Sequence, residues 1–152
     1  MKISIITATY NSEKTIANTI ESVLSQTHKD IEYIIVDGLS NDSTIEIIKQ
    51  YEPHFSGKLK WITEKDKGIY DAMNKGIKLA KGEWLNFMNS GDTFASNQVL
   101  EKVFNQIYAE ETKFIYSDYF VYDFRNRFRK IIASRDKGIL LHQSIIYKKE
   151  LH

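Results

Sequence analysis

Residues 2–37 read KISIITATYNSEKTIANTIESVLSQTHKDIEYIIVD: two short, almost unbroken apolar runs on either side of a segment whose apolar residues fall at helical spacing. KISIITA (2–8) and IEYIIVD (31–37) are rich in β-branched residues, so each predicts a strand buried on both faces, as parallel sheets require. Between them, Ile16, Ile20, Val23 and Leu24 line one side of a helix predicted over about Ser12 to Gln26, with Asn11 or Ser12 as its cap. Strand, helix and strand joined by short links predict a crossover between parallel neighbours.

The unit then repeats. Ser43 to Tyr51 predicts a second helix with Ile45, Ile48 and Tyr51 inward, capped by Asp42 or Ser43 and with Glu46 placed for a capping box. Pro53, the one proline, and Gly57 mark a loop before a third strand, LKWIT (59–63). Ile69, Met73, Ile77 and Ala80 share a face of a third helix, predicted from Ile69 to Lys81 and stopped by Gly82, and EWLNFM (83–88) is a fourth strand. The fold class is therefore α/β, a Rossmann-like, mostly parallel sheet flanked by helices. Beyond residue 95 the periodicity weakens. A helix from about Asn97 to Tyr108, a strand within FIYSDYFVYD (114–123) and another within GILLHQSIIY (138–147) are expected, with the basic and aromatic DFRNRFRKI (123–131) between them.

A chain of 152 residues, 42% hydrophobic and 27% charged, suits a single domain, 1–152, and no repeat or linker divides it. With 21 Lys+Arg against 20 Asp+Glu there is no overall charge to attract nucleic acid, so no nucleic-acid partner is expected. The absence of cysteine excludes disulfides and thiolate metal sites and fits a reducing compartment. No run approaches the ~18 apolar residues of a membrane span, and the N-terminus lacks a signal-peptide pattern. A cytoplasmic protein is expected, with peripheral attachment at the inner face of the membrane left open.

In an open parallel sheet, ligands bind beyond the carboxyl ends of the strands. Here those ends carry Thr7, Tyr10 and Asn11; then Asp37, Gly38, Ser40 and Asp42; then Glu64, Asp66 and Gly68; then Asn89, Ser90, Gly91 and Asp92. Asp42 reads as a helix cap and EKDKG (64–68) as a solvated charged turn. Asp37 and Asp92 read as ligand-facing, because Asp37 closes an apolar strand before its helix begins and Ser90 and Gly91 let a ligand approach the backbone. Neither a dinucleotide glycine fingerprint nor a P-loop is present. Carboxylates at such a crevice without a phosphate-cradling loop point to phosphate met through Mg²⁺ or Mn²⁺, hard ions that prefer oxygen.

SIITATYNSEKTI (4–16), IEYIIVDGLSNDST (31–44) and EKDKGIYDAMNKGIKLAKGEWLNFMNSGD (64–92) resemble, in order and spacing, the N-terminal half of the family-2 glycosyltransferases, the A-type nucleotide-sugar enzymes of bacterial surface-polysaccharide synthesis. The resemblance covers about residues 2–95. It implies an A-type, nucleotide-diphospho-sugar transferase fold, with 1–95 the nucleotide-sugar-binding part and 96–152 the start of an acceptor-side part that is incomplete at the C-terminus. It implies an inverting, hexosyltransferase-type enzyme that moves a sugar from a nucleoside-diphosphate sugar, typically a UDP-sugar, to a saccharide or lipid-linked acceptor. The alternative is a non-catalytic or truncated nucleotide-sugar-binding module that needs a partner or a further C-terminal segment.

Carried onto this sequence, the resemblance has Thr7, Tyr10 and Asn11 lining the nucleotide pocket and Asp37 bonding the base, typically uracil. Asp66 completes the nucleotide side, with Asn74 structural, Ser90 and Gly91 lie at the diphosphate, and Asp92 holds Mn²⁺ or Mg²⁺. Gly91 stands where many relatives have the acid that meets the ribose. The catalytic base is expected downstream of HQSIIYKKEL (142–151), outside this chain. Asp118, Asp123, His142 and Glu150 are the local alternatives, and His142 beside Gln143 reads as a hydrogen-bonded structural histidine. Arg125, Arg127, Arg129 and Lys130, interleaved with Phe124 and Phe128, read either as the charged face of an edge strand or as a contact for an anionic lipid-linked acceptor or a membrane surface. Homo-oligomerisation is left open.

Overall fold

The computed structural model of the chain describes residues 2–106, 108–122, 125 and 127–152. Strands β1 (Ile3–Thr9) and β2 (Ile31–Asp37) run parallel, in register from Ile3 opposite Ile31 to Thr9 opposite Asp37. Every residue of β1 and all of β2 after Ile31 are buried, the two-faced burial that the unbroken apolar runs predict. β3 (Leu59–Thr63) adds in parallel outside β2, and β4 (Trp84–Phe87) in parallel beside β1.

The helices are α1 (Ile16–Leu24), α2 (Thr44–Tyr51), α3 (Ile69–Leu79) and α4 (Val99–Phe104). Alternation along β1 sorts the core into two layers. Ile3 and Ile5 join Ile16, Ile20 and Val23 of α1, Ile48 of α2 and Leu100 of α4. On the opposite face, Ile6 and Ala8 join Ala72 and Met73 of α3. Ile3, Ile5, Ile6, Ile16 and Ile20 are fully buried, each stabilising the fold by roughly 1.5–3 kcal/mol relative to exposure.

The later strands are β5 (Phe114–Tyr116), β6 (Tyr119–Tyr122), β7 (Phe128–Ile131) and β8 (Ile145–Lys148). The main sheet has the order β3-β2-β1-β4-β8-β5, with β8 antiparallel to both neighbours. β6 and β7 form a separate antiparallel hairpin. The single strand expected within 114–123 is thus two strands of different sheets, and the basic segment contributes β7. Asp123 and Phe124 lie outside the described residues.

The helix ends differ from expectation for one shared reason: their polar side chains bond across loops instead of capping locally. α1 begins at Ile16, not Ser12. The Asn11 Oδ1 accepts from the Asn41 N–H at 2.9 Å, and Ser12 contributes its carbonyl to the Thr15 and Ile16 N–H groups. Ser43 makes no side-chain cap and no capping box forms; Asp42 instead takes the Thr44 N–H at 3.0 Å and the Glu13 N–H at 3.1 Å. α3 ends at Leu79, before Gly82, and Ile69 is exposed. Gly82 serves close packing, since a Cβ there would stand 2.6 Å from the Ser4 backbone nitrogen.

Candidate active site

The parallel order β3-β2-β1-β4 brings the four predicted loops side by side at one edge of the sheet. Hydrogen bonds then lace them together. The Asn11 N–H donates to Ser40 Oγ at 2.8 Å and the Ser12 N–H to Thr44 Oγ1 at 2.8 Å, joining the loops after β1 and β2. The loop after β4 is tied to α1: the Ser90 and Thr15 hydroxyls meet at 3.0 Å, and the Gly91 N–H donates to Thr19 Oγ1 at 2.9 Å. Gly91 has φ +100°, a backbone conformation that glycine adopts without steric cost.

Gly38 brings the third loop in. A Cβ there would lie 2.7 Å from the Asp66 Oδ2 and 3.4 Å from the Tyr10 ring, so only a glycine lets that carboxylate rest against the β2 loop. Asp66 also receives the Gly68 N–H at 3.0 Å. Glu64, by contrast, is held outward by Lys75 at 3.0 Å.

Two predicted residues occupy deeper positions than expected. Thr7 is fully buried, its hydroxyl donating to the Met88 carbonyl at 2.5 Å and meeting the Tyr33 hydroxyl at 3.0 Å. It therefore supports the crevice from behind instead of lining it. Asp37 is also fully buried; its Oδ2 accepts from the Ser40 N–H at 2.9 Å and the Thr63 hydroxyl at 2.7 Å, and its Oδ1 from the Ser40 hydroxyl at 2.5 Å. These bonds fix the β2 turn, and direct contact with a base requires Ser40 or Thr63 to give way.

Asp92 is half-buried, and its Oδ2 accepts from Gln143 Nε2 at 2.7 Å. Alongside, Asn89 Nδ2 meets His142 Nε2 at 2.7 Å. His142 and Gln143 sit in a short 3-10 turn, His142–Ser144, just before β8, and Asn86 Nδ2 of β4 donates to the Gln143 carbonyl at 3.1 Å. One antiparallel strand thus delivers a pair of side chains onto the Asn89–Asp92 turn. Gln143 was not predicted from the sequence; its place at the end of the apolar run that becomes β8 was the only signal. His142 makes the hydrogen bond expected of it.

The other candidate bases are engaged elsewhere. The Lys130 ammonium at 2.8 Å and the Ala133 N–H hold Asp118 below the usual carboxylate range, and Glu150 pairs with Lys113 at 3.0 Å.

For a divalent cation, the donor set is one carboxylate, Asp92, whose Oδ1 takes no hydrogen bond among the described residues. No group of three or more His, Cys, Asp or Glu side chains converges there or elsewhere among the described residues. That rules out a preformed protein cage among them and fits Mg²⁺ or Mn²⁺ shared between one carboxylate and a ligand's phosphates.

A sheet of this order, with its polar loops gathered at the strand ends, is the architecture of the A-type glycosyltransferases. The likeness extends over nearly the whole chain: S. aureus TarS 1-349 in complex with UDP-GlcNAc matches 99% of it and 46% of its own length, at TM-score 0.72 and 25% identity. A mannosyltransferase from Pyrobaculum calidifontis, in complex with GDP-Man and Mn²⁺, shares the fold at TM-score 0.77 and 16% identity, over 99% of this chain and 45% of that one. The profile of Glycosyl transferase family 2 matches residues 4–150, and the chain belongs to that family. A PGL/p-HBAD biosynthesis glycosyltransferase of Mycobacterium bovis is 30% identical over 97% of this chain and 59% of its own. The Escherichia coli UDP-Glc:alpha-D-GlcNAc-diphosphoundecaprenol beta-1,3-glucosyltransferase WfaP is 40% identical over 78% of this chain and 46% of its own. The chain therefore spans about half the length of the relatives it matches. No described helix is long and apolar enough to cross a membrane.

Proposed function

We propose that the chain binds a nucleoside-diphosphate sugar, with a UDP-sugar as the expected donor, and acts in glycan synthesis by transferring the sugar with inversion to a saccharide or lipid-linked acceptor. The observation that carries this reading is the convergence of Asp66, the Asn11–Ser40 pair and the Ser90–Asp92 turn on one crevice, in a chain of this family.

Tyr10, Asn11 and Asp66 form the nucleoside side of the site. Asp37 holds the β2 turn through Ser40, and Thr7 braces β1 against the β4 loop. Ser90 and the Gly91 backbone admit the diphosphate. Asp92, oriented by Gln143, would hold Mn²⁺ or Mg²⁺, which when bound neutralises the charge that develops on the departing diphosphate. Removal of the acceptor proton falls to a base outside residues 1–152. The β6–β7 hairpin, with Arg129 and Lys130 on β7 and Arg125 and Arg127 beside it, is the proposed contact for an anionic lipid-linked acceptor or a membrane surface.

Thermal unfolding with UDP, GDP and TDP, each with and without Mn²⁺, tests the donor site, because a ligand that binds only the folded state raises Tm. A metal-dependent rise with at least one nucleotide is expected; no rise with any of them sinks the reading. A second reading, a binding module without turnover, is favoured by the engagement of Asp118 and Glu150 in ion pairs. Product formation by this chain from a panel of donors and acceptors separates the two.

A further inference from the structure

Among the described residues, three besides glycine have left-handed backbone: Asn11 (φ 47°), Leu39 (φ 64°) and Ser56 (φ 50°). Two have ordinary reasons. Asn tolerates this region because its short polar side chain bonds locally. Ser56 follows the short 3-10 turn Glu52–Phe55, where a left-handed residue closes the helical end. Leu39 is different. Its turn requires the conformation: the Gly38 N–H donates to the Thr9 carbonyl and the Ser40 N–H to Asp37, so the chain reverses between them. The turn does not require a leucine, and glycine would adopt the same backbone without the clash that a bulky side chain brings.

The core does not require it either. Leu39 is 52% exposed, directly after a strand whose last six residues are buried. It also stands at the junction of three loops. Gly38 before it rests against Asp66 and Tyr10, and Ser40 after it holds the Asn11 N–H. Tyr10 is itself 60% exposed, so the nucleoside side of the crevice presents two adjacent, uncovered apolar groups.

Resting on the donor-site reading above, we infer that Leu39 is a nucleobase contact: its side chain supplies an apolar surface that the flat face of the donor's purine or pyrimidine ring covers on binding. Of the parts of a nucleoside diphosphate, only the base offers an apolar face; ribose and phosphates need hydrogen bonds or charge. A contact of this kind is tolerant of base identity, because every base has a π-face. Base selection must then come from polar groups such as Asp37, while Leu39 adds affinity to whichever base is chosen.

The test is isothermal calorimetry on the whole chain with Mn²⁺, using UDP, GDP and inorganic pyrophosphate, together with Tm of the unliganded protein. Leu39→Gly is expected to weaken the binding of UDP and GDP by similar factors, roughly five- to tenfold for a half-leucine left uncovered. Pyrophosphate affinity should stay within about twofold, and the unliganded Tm should hold or rise by roughly 2–4 °C as backbone strain is released. Leu39→Met, which keeps an apolar side chain, should restore most nucleotide affinity. Wild-type affinity for UDP in Leu39→Gly overturns the proposal while leaving the donor site standing. So does a parallel loss of pyrophosphate binding, which would make Leu39 a loop-shaping residue, and so does a failure of Leu39→Met to recover UDP affinity. A wild-type chain that binds neither UDP nor GDP removes the donor reading and this contact with it.

Discussion

β2 carries a buried carboxylate at each end, and the two are treated differently. Glu32, near its start, accepts from the Ser4 hydroxyl at 2.7 Å, the Lys81 N–H at 2.6 Å and the Lys60 ammonium at 2.8 Å. The Gly82 N–H closes the network onto Ser4 Oγ at 2.8 Å. Asp37, at the other end, is held by hydroxyls and one N–H, with no cation bonded to it. Around Glu32 the backbone is close-packed; around Asp37 it includes left-handed residues, a carboxylate against a bare Cα and exposed apolar side chains. One end of the sheet is built for stability, and the other retains local strain and unmet contacts where a ligand binds.

The largest test of that division is Glu32→Ala. It removes a buried ion pair and strands the donors around it, so it should cost about 3 kcal/mol, the low end for breaking such a pair because Lys60 is partly exposed. Thermal unfolding should fall by roughly 6–12 °C for a domain of this size. Nucleotide affinity of the folded fraction should not change. A shift in UDP affinity would show that the two ends are coupled.

The same carboxylate sets the acid limb of stability. Burial pushes the Glu32 carboxyl up, but the Lys60 ammonium, the Lys81 N–H and the Ser4 hydroxyl outweigh it and hold the pKa at about 2, against 4.5 for the free group. A depressed folded pKa means the unfolded chain takes up the proton first. The contribution is therefore complete above pH 4.5 and is lost as pH falls toward 2, on the order of 3 kcal/mol in all. Urea unfolding from pH 6 to pH 2.5 should show a steep loss in that window for wild type and a shallower one for Glu32→Ala. Equal slopes would assign the acid limb to other carboxylates.

At the opposite end, Asp37→Asn keeps the size but turns one acceptor into a donor facing hydroxyls. A stability loss of about 1–2 kcal/mol is expected from the mismatched bonds. The weakening of UDP binding should be tenfold or more, because the β2 turn and Ser40 would move with it. If stability falls and UDP affinity does not, Asp37 belongs with Glu32 as a structural acid and the contrast along β2 collapses.

How far the sequence alone reaches follows the same geography. The parallel half was legible because each strand is an apolar run of its own and each loop meets the strand-end rule; Asp66 and Asp92 arrive where that rule puts them. Helix starts were misread because Asn11, Asp42 and Ser12 are ordinary caps in sequence, and only the neighbouring loops redirect their hydrogen bonds. Burial depth was illegible for Thr7 and Asp37, since a polar residue at a strand end looks the same facing ligand or core. The antiparallel half was the least legible. β8 lies beside β4 some sixty residues away, a pairing that local periodicity does not encode, and with it the partner of Asp92 went unseen.

That partner gives the smallest and most specific test. Gln143 reaches the site from the antiparallel half and donates a single hydrogen bond to Asp92 Oδ2, leaving Oδ1 toward any cation. Gln143→Ala removes one bond at a half-buried position, so stability should fall by less than about 1 kcal/mol. If the bond orients the carboxylate for metal, UDP affinity measured with Mn²⁺ should drop roughly three- to tenfold. UDP affinity measured without metal should stay level, because nothing else in the crevice depends on Gln143. Equal losses with and without Mn²⁺ would mean that the side chain only shapes the Asn89–Asp92 turn. No loss in either would confine the site to the four parallel loops, with β8 reduced to filling the sheet.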